Sequence, residues 1–198
     1  MWVDGYLIDV VKDQELIEIQ IGNFPALRSK LESLLQNHRV RLVLPIAREK
    51  HIILKNSAYG FMYRRRSPKR GRIEHLFYDL VYISNLVSHP NFSLEVMLTS
   101  EEEERINDGQ GSWRRRGVSI VDRRLVSILD RLFFADACAY LALIPDTLMG
   151  EFTNLELASN LRIPIRLASK MTYCLNRMGV LERKGRRGKA FLFARLVA

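Results

Sequence analysis

The chain has 198 residues, of which 47% are hydrophobic, so it can form one large domain or two small domains with buried cores. Its formal net charge of +9 at pH 7 favours a polyanionic partner. No apolar run approaches the roughly 18 residues that span a bilayer, and Met1 is not followed by the basic and apolar segments of a signal peptide. We therefore expect a cytoplasmic protein without a membrane partner.

The two cysteines support the same compartment. Cys138 and Cys174 occur in apolar, helix-like sequence and form no C-x-x-C pair of the kind that binds a metal. We expect both to be buried thiols rather than a disulfide.

The amino-terminal sequence has the pattern of a β-hairpin. Residues 3–11 and 15–20 are β-branched, mostly apolar runs joined by a polar turn at residues 12–14. Side chains two apart on a strand share a face, so Glu18 and Gln20 lie together. An acidic residue of the first strand can approach Glu18, and two carboxylates on paired strands suit Mg²⁺ or Mn²⁺.

These residues resemble the PD-(D/E)XK nuclease superfamily, and within it a family of uncharacterised prokaryotic proteins. The superfamily has an Asp at the start of one strand and an acid-x-Lys triplet on the next. Asp4 matches the first position, and Glu18-Ile19-Gln20 matches the triplet with Gln in place of Lys. The resemblance implies that Asp4 and Glu18 hold Mg²⁺ or Mn²⁺ and that Gln20 orients the water or a ligand.

The sequence after the hairpin predicts a βαβ crossover. Asn23 is the expected cap of a helix, and residues 39–46 have the composition of a buried strand. The two flanking strands should be parallel neighbours. This is the element order of the nuclease core, so the expected fold is α/β, with a mixed-sheet restriction-endonuclease-like core over residues 1–112. The apolar stripe of the helix contains Phe24, Leu27, Leu31, Leu34 and Leu35.

Lys30 and Asp9 each have two interpretations. Lys30 lies at the edge of the apolar stripe; the resemblance implies a catalytic lysine that has moved to the helix, whereas the simpler interpretation is a stem that covers the core edge. Asp9 lies opposite Glu18 if the turn has two residues, and a three-residue turn favours Asp4. The resemblance favours Asp4 and leaves Asp9 as a second ligand or a hydrogen-bond partner.

The hairpin also has a plainer interpretation, since the exposed face of an antiparallel strand is commonly polar. The superfamily core opens with a helix and a strand before the motif Asp, whereas three residues precede Asp4. We therefore expect that the amino end of the core is truncated here, that another chain supplies it, or that the site has lost activity.

A cluster of cations over residues 64–72, around Pro68 and Gly71, predicts a mobile basic loop. The loop either contacts phosphates or acts as a solvated linker. Its candidate phosphate-binding residues are Arg64, Arg65, Arg66, Lys69 and Arg70. Residues 73–86 predict a helix that ends before Pro90, and residues 92–98 predict a strand that completes the sheet.

The segment after this strand is predicted to leave the core. Residues 101–112 begin with four consecutive glutamates and continue into a turn-rich stretch, so we expect a surface excursion. Consecutive acidic side chains do not converge on one point and therefore do not predict a metal site. Residues 113–134 are expected to be a connecting segment or helix.

The carboxyl-terminal sequence predicts two helices followed by a hairpin. Thr153 and Glu156 have the spacing of a capping box, Pro164 is expected to open a second helix, and Gly179 is expected to close it. A predicted β-hairpin with cations at its tip follows. In this order of elements, residues 135–198 resemble a small winged helix-turn-helix domain. Such a domain places its second helix in the major groove of DNA, although many winged helices bind proteins instead. The expected contacts are Arg166, Ser169, Lys170 and Arg177 on the helix, and Arg186, Arg187 and Lys189 on the hairpin.

Two functions follow from these expectations. The first is a metal-dependent DNA endonuclease or DNA-processing protein whose winged helix holds double-stranded DNA. The second is a non-catalytic DNA-binding or regulatory protein that retains a degenerate nuclease-like domain. RNA remains open as the polyanion because charge does not distinguish it from DNA, and a homodimer is compatible with either function.

Overall fold

The computed structural model of the protein describes residues 1–55 and 62–196. It is a mixed α/β structure, as the sequence predicts at that level. The helices are α1 (Phe24–Leu34), α2 (Phe77–Leu80), α3 (Asn154–Leu161) and α4 (Ile165–Arg177). The strands are β1 (Trp2–Val3), β2 (Tyr6–Leu7), β3 (Val10–Lys12), β4 (Glu15–Ile19), β5 (Arg39–Lys55), β6 (Met62–Arg66), β7 (Phe92–Asn107), β8 (Val118–Phe134), β9 (Phe152–Thr153), β10 (Leu181–Arg187) and β11 (Ala190–Arg195).

The described strands form three sheets. A path of neighbouring strands runs β3-β4-β5-β7-β8, with β6 also paired to β5. A three-stranded sheet has the order β10-β11-β9, and β1 pairs with β2. The chain divides into two compact units: unit 1 contains residues 1–44, 74–96 and 132–198, and unit 2 contains residues 45–73 and 97–131.

In unit 1, the predicted first strand is interrupted. Asp4 and Gly5 have φ angles of 47° and 81° and form a turn between β1 and β2. The next turn contains only Asp13 and Gln14, because Lys12 pairs directly with Glu15. The predicted hairpin is therefore β3–β4, and Asp4 belongs to a separate, earlier hairpin.

The predicted βαβ crossover is confirmed. β4 and β5 are parallel neighbours, with Glu18 level with Leu42. The predicted apolar stripe of α1 is buried, which stabilises a short helix more than its intrinsic propensity does. Asn23 precedes α1 in a left-handed conformation, with φ of 57°, and its side chain caps nothing. The predicted side-chain cap is therefore wrong.

The segment predicted as a helix over residues 73–86 is shorter and less regular than expected. A 3₁₀ turn over Ile73–Leu76 leads into the single helical turn α2, and further turns continue towards Pro90. Apolar residues of this segment are nevertheless buried, namely Leu76, Phe77, Leu80, Ile83 and Val87.

Three predictions fail in the long strands. Arg64, Arg65 and Arg66 belong to β6, which is antiparallel to β5, so the basic stretch begins as a strand and not as a loop. The glutamates of residues 101–104 continue β7 instead of leaving the sheet. For residues 113–134, predicted as a connecting segment or helix, the helical alternative is wrong, because from Val118 the chain forms the 17-residue strand β8, whose β-branched residues suit an extended backbone.

The carboxyl-terminal elements follow the predicted order. Thr153 Oγ1 accepts from Glu156 N at 3.2 Å, and Glu156 Oε2 accepts from Thr153 N at 2.7 Å, which confirms the capping box before α3. Gly179, with φ of 78°, follows α4 as predicted. Cys174 is buried within α4, whereas Cys138 is exposed and corrects the expectation for that thiol.

Candidate functional site

Glu18 and Lys30 form a close ion pair in unit 1. Lys30 Nζ lies 2.6 Å from Glu18 Oε2, and the two side chains are only 16% and 12% exposed. Lys30 also donates to the carbonyl oxygen of Leu7 at 2.6 Å. The crossover creates this contact, because α1 returns over the face of β4 that carries Glu18. The Lys30 ammonium is therefore held by two oxygens and does not extend into water.

Asp4 lies outside this pair. It occupies the β1–β2 turn, and its Oδ2 is 2.8 Å from His38 Nε2. The strand parity that favoured Asp4 as the partner of Glu18 is wrong, because the β3–β4 turn has two residues. That turn places Asp9, one position beyond the Val10–Ile17 pair, opposite Glu18.

Asp9 and Gln20 both make local hydrogen bonds. Asp9 Oδ2 accepts from the backbone N–H of Ile19 at 2.8 Å, which is one of the two roles expected for it. Gln20 uses its side-chain amide to donate to the carbonyl oxygen of Gly22. The Gln20 side chain is therefore engaged in the loop after β4.

The structure brings together fewer possible ligands for a divalent metal ion than the resemblance implies. Throughout residues 1–55 and 62–196, no group of three or more His, Cys, Asp or Glu side chains could hold a metal ion. Glu18 Oε2 is a buried oxygen whose close neighbour is the Lys30 ammonium. Mg²⁺ often uses one or two carboxylates together with substrate phosphates. Asp9, opposite Glu18, is the candidate for a second carboxylate in such a role, whereas Asp4 pairs with His38.

The opposite face of the same strands carries a charged network that the sequence did not reveal. Arg41 lies 2.6 Å from Glu15 and 3.5 Å from Glu95, and its guanidinium stacks 5.1 Å from the ring centre of Phe133. Arg41, Glu15 and Phe133 border a cavity of about 360 Å³ in unit 1. Its lining combines the cations Lys12, Arg39 and Arg41 with the carboxylates of Asp13 and Glu15. The sequence signal for this network was weak: Arg39 and Arg41 place positive charges at alternate positions of an otherwise apolar strand.

In unit 2 the basic stretch is partly neutralised by glutamates of β5 and β7. Arg64 contacts Glu102 at 3.1 Å, and Arg66 contacts Glu49 at 2.5 Å. The side chains of Arg65, Lys69 and Arg70 are exposed and make no ion pair within the described residues. Those three cations are the members of the predicted set that remain available to phosphates.

Glu103 is the most buried acid of this network. It is 3% exposed and lies 2.6 Å from Arg105, 3.1 Å from Arg123 and 3.5 Å from Lys50. Burial alone would raise the pKa of Glu103, but the hydrogen bond from Arg105 and the three positive charges outweigh it and lower the pKa. Glu103 is therefore a structural anion that holds neighbouring strands together.

Of the four DNA contacts predicted on α4, two are exposed. Arg166 and Arg177 are exposed, whereas Ser169 Oγ hydrogen-bonds to the Ile165 carbonyl and to Asn154. Lys170 lies 6.0 Å from the ring centre of Tyr78. Burial raises the pKa of the adjacent Asp79, and the positive charge of Lys170 only partly opposes this effect.

Tyr173 is a candidate contact that sequence reasoning missed. It is 51% exposed and lies on α4 between Arg166 and Arg177. Its spacing of seven residues from Arg166 and four from Arg177 puts all three on one side of a helix. That spacing is present in the sequence and could have identified Tyr173 as a candidate contact.

The β10–β11 hairpin presents several cations. Arg183 and Arg186 stack on the Phe191 ring at 3.1 and 4.6 Å from its centre. Arg187 lies 2.7 Å from Glu156, whose pKa is lowered by the Thr153 backbone N–H, the Thr153 hydroxyl and Arg187. Lys189 is exposed at the tip, with no ion pair among the described residues. Lys189 is therefore the freest of the predicted cations of the hairpin, since Arg186 stacks on Phe191 and Arg187 pairs with Glu156.

The helices of the structure and the relatives of the sequence each give one further observation. Within the described residues, no helix combines the length and apolar character needed to cross a membrane. The chain is 30% identical over 125 residues to a Treponema pallidum (strain Nichols) protein described as "Uncharacterized protein". The alignment covers 63% of this chain and 50% of that protein, so the chain spans about half the length of its curated relative. No solved structure matches the chain.

The family match covers the Glu18–Lys30 pair and β8 but ends before α3 and α4. The family model described as "Domain of unknown function (DUF8091)" matches residues 1–135. Because this match covers more than half of the 198 residues, the chain belongs to the DUF8091 family.

Proposed function

We propose that the protein binds double-stranded DNA through a winged helix-turn-helix arrangement of β9, α3, α4, β10 and β11. Support comes from the order of these elements along the chain and from the sheet order β10-β11-β9. In such an arrangement the second helix enters the major groove and the hairpin contacts the backbone.

The observation that carries the proposal is the exposed row of Arg166, Tyr173 and Arg177 on α4. The helix packs against β10 and so is joined directly to the cationic hairpin. Arginine can form bidentate hydrogen bonds to guanine in the major groove, and the hairpin cations can neutralise phosphates. A polyanion would thus meet two sets of cations on one structural unit.

Fluorescence anisotropy with a labelled DNA duplex tests this proposal. The Arg166→Ala/Arg177→Ala variant should bind at least about tenfold more weakly, since each lost contact of this kind costs roughly 1–3 kcal/mol. Arg48→Ala is the control, because Arg48 is an exposed cation of unit 2 outside the proposed surface.

Equal weakening by Arg48→Ala would indicate binding by general charge, and unchanged binding in both variants would reject the proposed surface. A duplex RNA of the same sequence at the same salt concentration completes the comparison. Tighter binding to RNA would replace DNA as the proposed partner.

A second candidate function is metal-dependent cleavage of phosphodiester bonds, as the PD-(D/E)XK resemblance implies. The contact between Glu18 and Lys30 favours it, because the resemblance assigned both residues to one site. A bound Mg²⁺ or Mn²⁺ would stabilise negative charge on phosphate, and Glu18 with Asp9 would hold it. Lys30 would supply a fixed positive charge beside them.

Plasmid cleavage in Mg²⁺ and in Mn²⁺ tests this second function. Glu18→Ala and Asp9→Ala should each remove cleavage while duplex binding persists. Asp4→Ala is the matched control, since Asp4 pairs with His38 outside the site. Cleavage that survives Glu18→Ala, or no cleavage by the unmodified protein, would reject the proposed cleavage at Glu18. Duplex binding would then be the one remaining proposed function.

A further inference from the structure

The strand β8 has an uncovered edge. It spans Val118–Phe134 and ends the path β3-β4-β5-β7-β8, so within the described parts of the chain only β7 pairs with it. Long edges of this kind present unpaired backbone N–H and C=O groups and are usually shielded by Pro, by charged side chains, especially Lys, or by shortness. The 17 residues of β8 include neither Pro nor Lys, and residues 125–129 at the middle of the strand carry no charge.

Both faces of β8 are also uncovered. Leu125 is 56% exposed and Val126 is 52% exposed, although neighbouring side chains point to opposite faces of a strand. Ile128 and Leu129 repeat the pattern, and every residue from 121 to 131 is exposed. An apolar segment that is open on its edge and on both faces is typical of an interaction site.

We propose that β8 pairs antiparallel with β8 of a second copy of this chain. In a pair with a two-fold axis perpendicular to the sheet, opposed residues must have numbers whose sum is even, because opposed side chains share a face. An axis at Ser127 gives a complementary pairing. It opposes apolar to apolar residues and Arg to Asp, namely Leu125 with Leu129, Val126 with Ile128, and Arg124 with Asp130.

Neighbouring registers lack this complementarity. An axis at Val126 opposes Asp122 to Asp130, and an axis at Ile128 opposes Leu125 to Arg131. Like charges directly opposite one another, or a charge against an apolar side chain, destabilise a strand pair. The Ser127 register has unfavourable pairs only near its ends, where Arg123 faces Arg131 and Asp122 faces Leu132, whereas its four central pairs are matched. The sequence of the strand therefore favours Ser127 as the centre.

The charges around β8 are compatible with this register. Arg124 contacts Glu102 at 2.5 Å, but its side chain is 68% exposed and can also reach Asp130 of the second copy. The register opposes Arg123 to Arg131, and Glu103, 3.1 Å from Arg123, offsets that repulsion. The second copy is thus matched to the edge by its charges as well as by its apolar residues.

A cysteine at the axis tests the register directly. In a Cys138→Ser background, which removes the exposed native thiol, Ser127→Cys should form a disulfide-linked dimer under mild oxidation. Leu125→Cys is the control, because residue 125 faces residue 129 and lies too far from its own copy for a disulfide. Cross-linking at 125 without cross-linking at 127 would reject the register.

Sedimentation velocity of the full chain tests the dimer itself. We expect a concentration-dependent species of twice the monomer mass, and Leu129→Asp should weaken its association at least about tenfold. Reversing one charge, as Arg124→Asp, should also weaken it, and adding Asp130→Arg should restore it. A chain that is monomeric at every concentration, or a dimer that tolerates Leu129→Asp, would overturn the proposal.

Discussion

Lys30 Nζ lies 2.6 Å from Glu18 Oε2 across the β4–α1 connection, and both side chains are largely buried. Removing one member of such a pair leaves the other charge without a partner, which costs more than the pair contributes. We expect Glu18→Gln to lower the free energy of unfolding by about 2 kcal/mol, somewhat less than for a fully buried pair. Urea unfolding followed by circular dichroism measures this change.

The double variant separates the pair from its surroundings. Glu18→Gln combined with Lys30→Met removes both charges, so its destabilisation should be smaller than the sum of the two single changes. Arg28→Met with Glu32→Gln is the comparison, because that pair is exposed on the same helix and should contribute under about 1 kcal/mol. Additive effects at Glu18 and Lys30 would mean that the ion pair is energetically unimportant.

Glu103 should make stability depend on pH. Its pKa is lower in the folded protein than in the unfolded chain because the charges of Arg105, Lys50 and Arg123 outweigh burial. The resulting stabilisation is present above the unfolded pKa of about 4.3 and is lost as the pH falls through the folded pKa. Glu103→Gln should therefore destabilise the protein by about 3 kcal/mol at pH 7 and by much less near pH 2.

Urea midpoints at several pH values test this expectation. Glu49→Gln is a suitable control, since Glu49 is far more exposed than Glu103 and contacts Arg66 alone among the described residues. Its effect should stay below about 1 kcal/mol throughout. A Glu103→Gln penalty that does not change with pH would show that packing, and not charge, makes Glu103 important.

Gly71 is required by a close approach of two backbones in unit 2. Its N–H donates to the Ala47 carbonyl at 2.8 Å, and a Cβ there would lie 2.5 Å from that oxygen and from Ile46 Cγ2. Gly71→Ala should cost about 1–3 kcal/mol, as overpacking does elsewhere. Gly150→Ala should be neutral or slightly stabilising, because nothing lies within 4 Å of the added carbon. Equal thermal midpoints for the two variants would contradict this account.

Local signals predicted the elements that are stabilised locally. The apolar stripe of α1 and the capping box at Thr153 depend on residues three to four apart, so they can be recognised without the rest of the fold. The parallel pairing of β4 with β5 followed from the crossover rule. Of these elements, α1 carries Lys30, and the capping box begins α3, which packs against the proposed DNA-contacting helix α4.

The failures occurred where distant residues decide the structure. The glutamates of 101–104 read as a solvated run, but ion pairs with cations of β5, β6 and β8 keep them in a strand. The choice between Asp4 and Asp9 depended on one turn residue, since a slip of one position changes the face of every side chain. Positive φ angles at Asp4 and Asp13 fixed those turns, and their sequence signals were weak.

Lys189 and Arg187 should differ in their effect on DNA binding, although both are cations of the β10–β11 hairpin. Lys189 has no ion pair among the described residues, whereas Arg187 is held by Glu156 at 2.7 Å. Lys189→Ala should reduce the slope of log Kobs against log salt concentration by about 0.9, the value for one lost phosphate contact. Arg187→Ala should reduce it less, because Glu156 already offsets the charge. Anisotropy titrations between low and physiological salt measure both slopes, and equal changes would show that Arg187 leaves Glu156 when DNA binds.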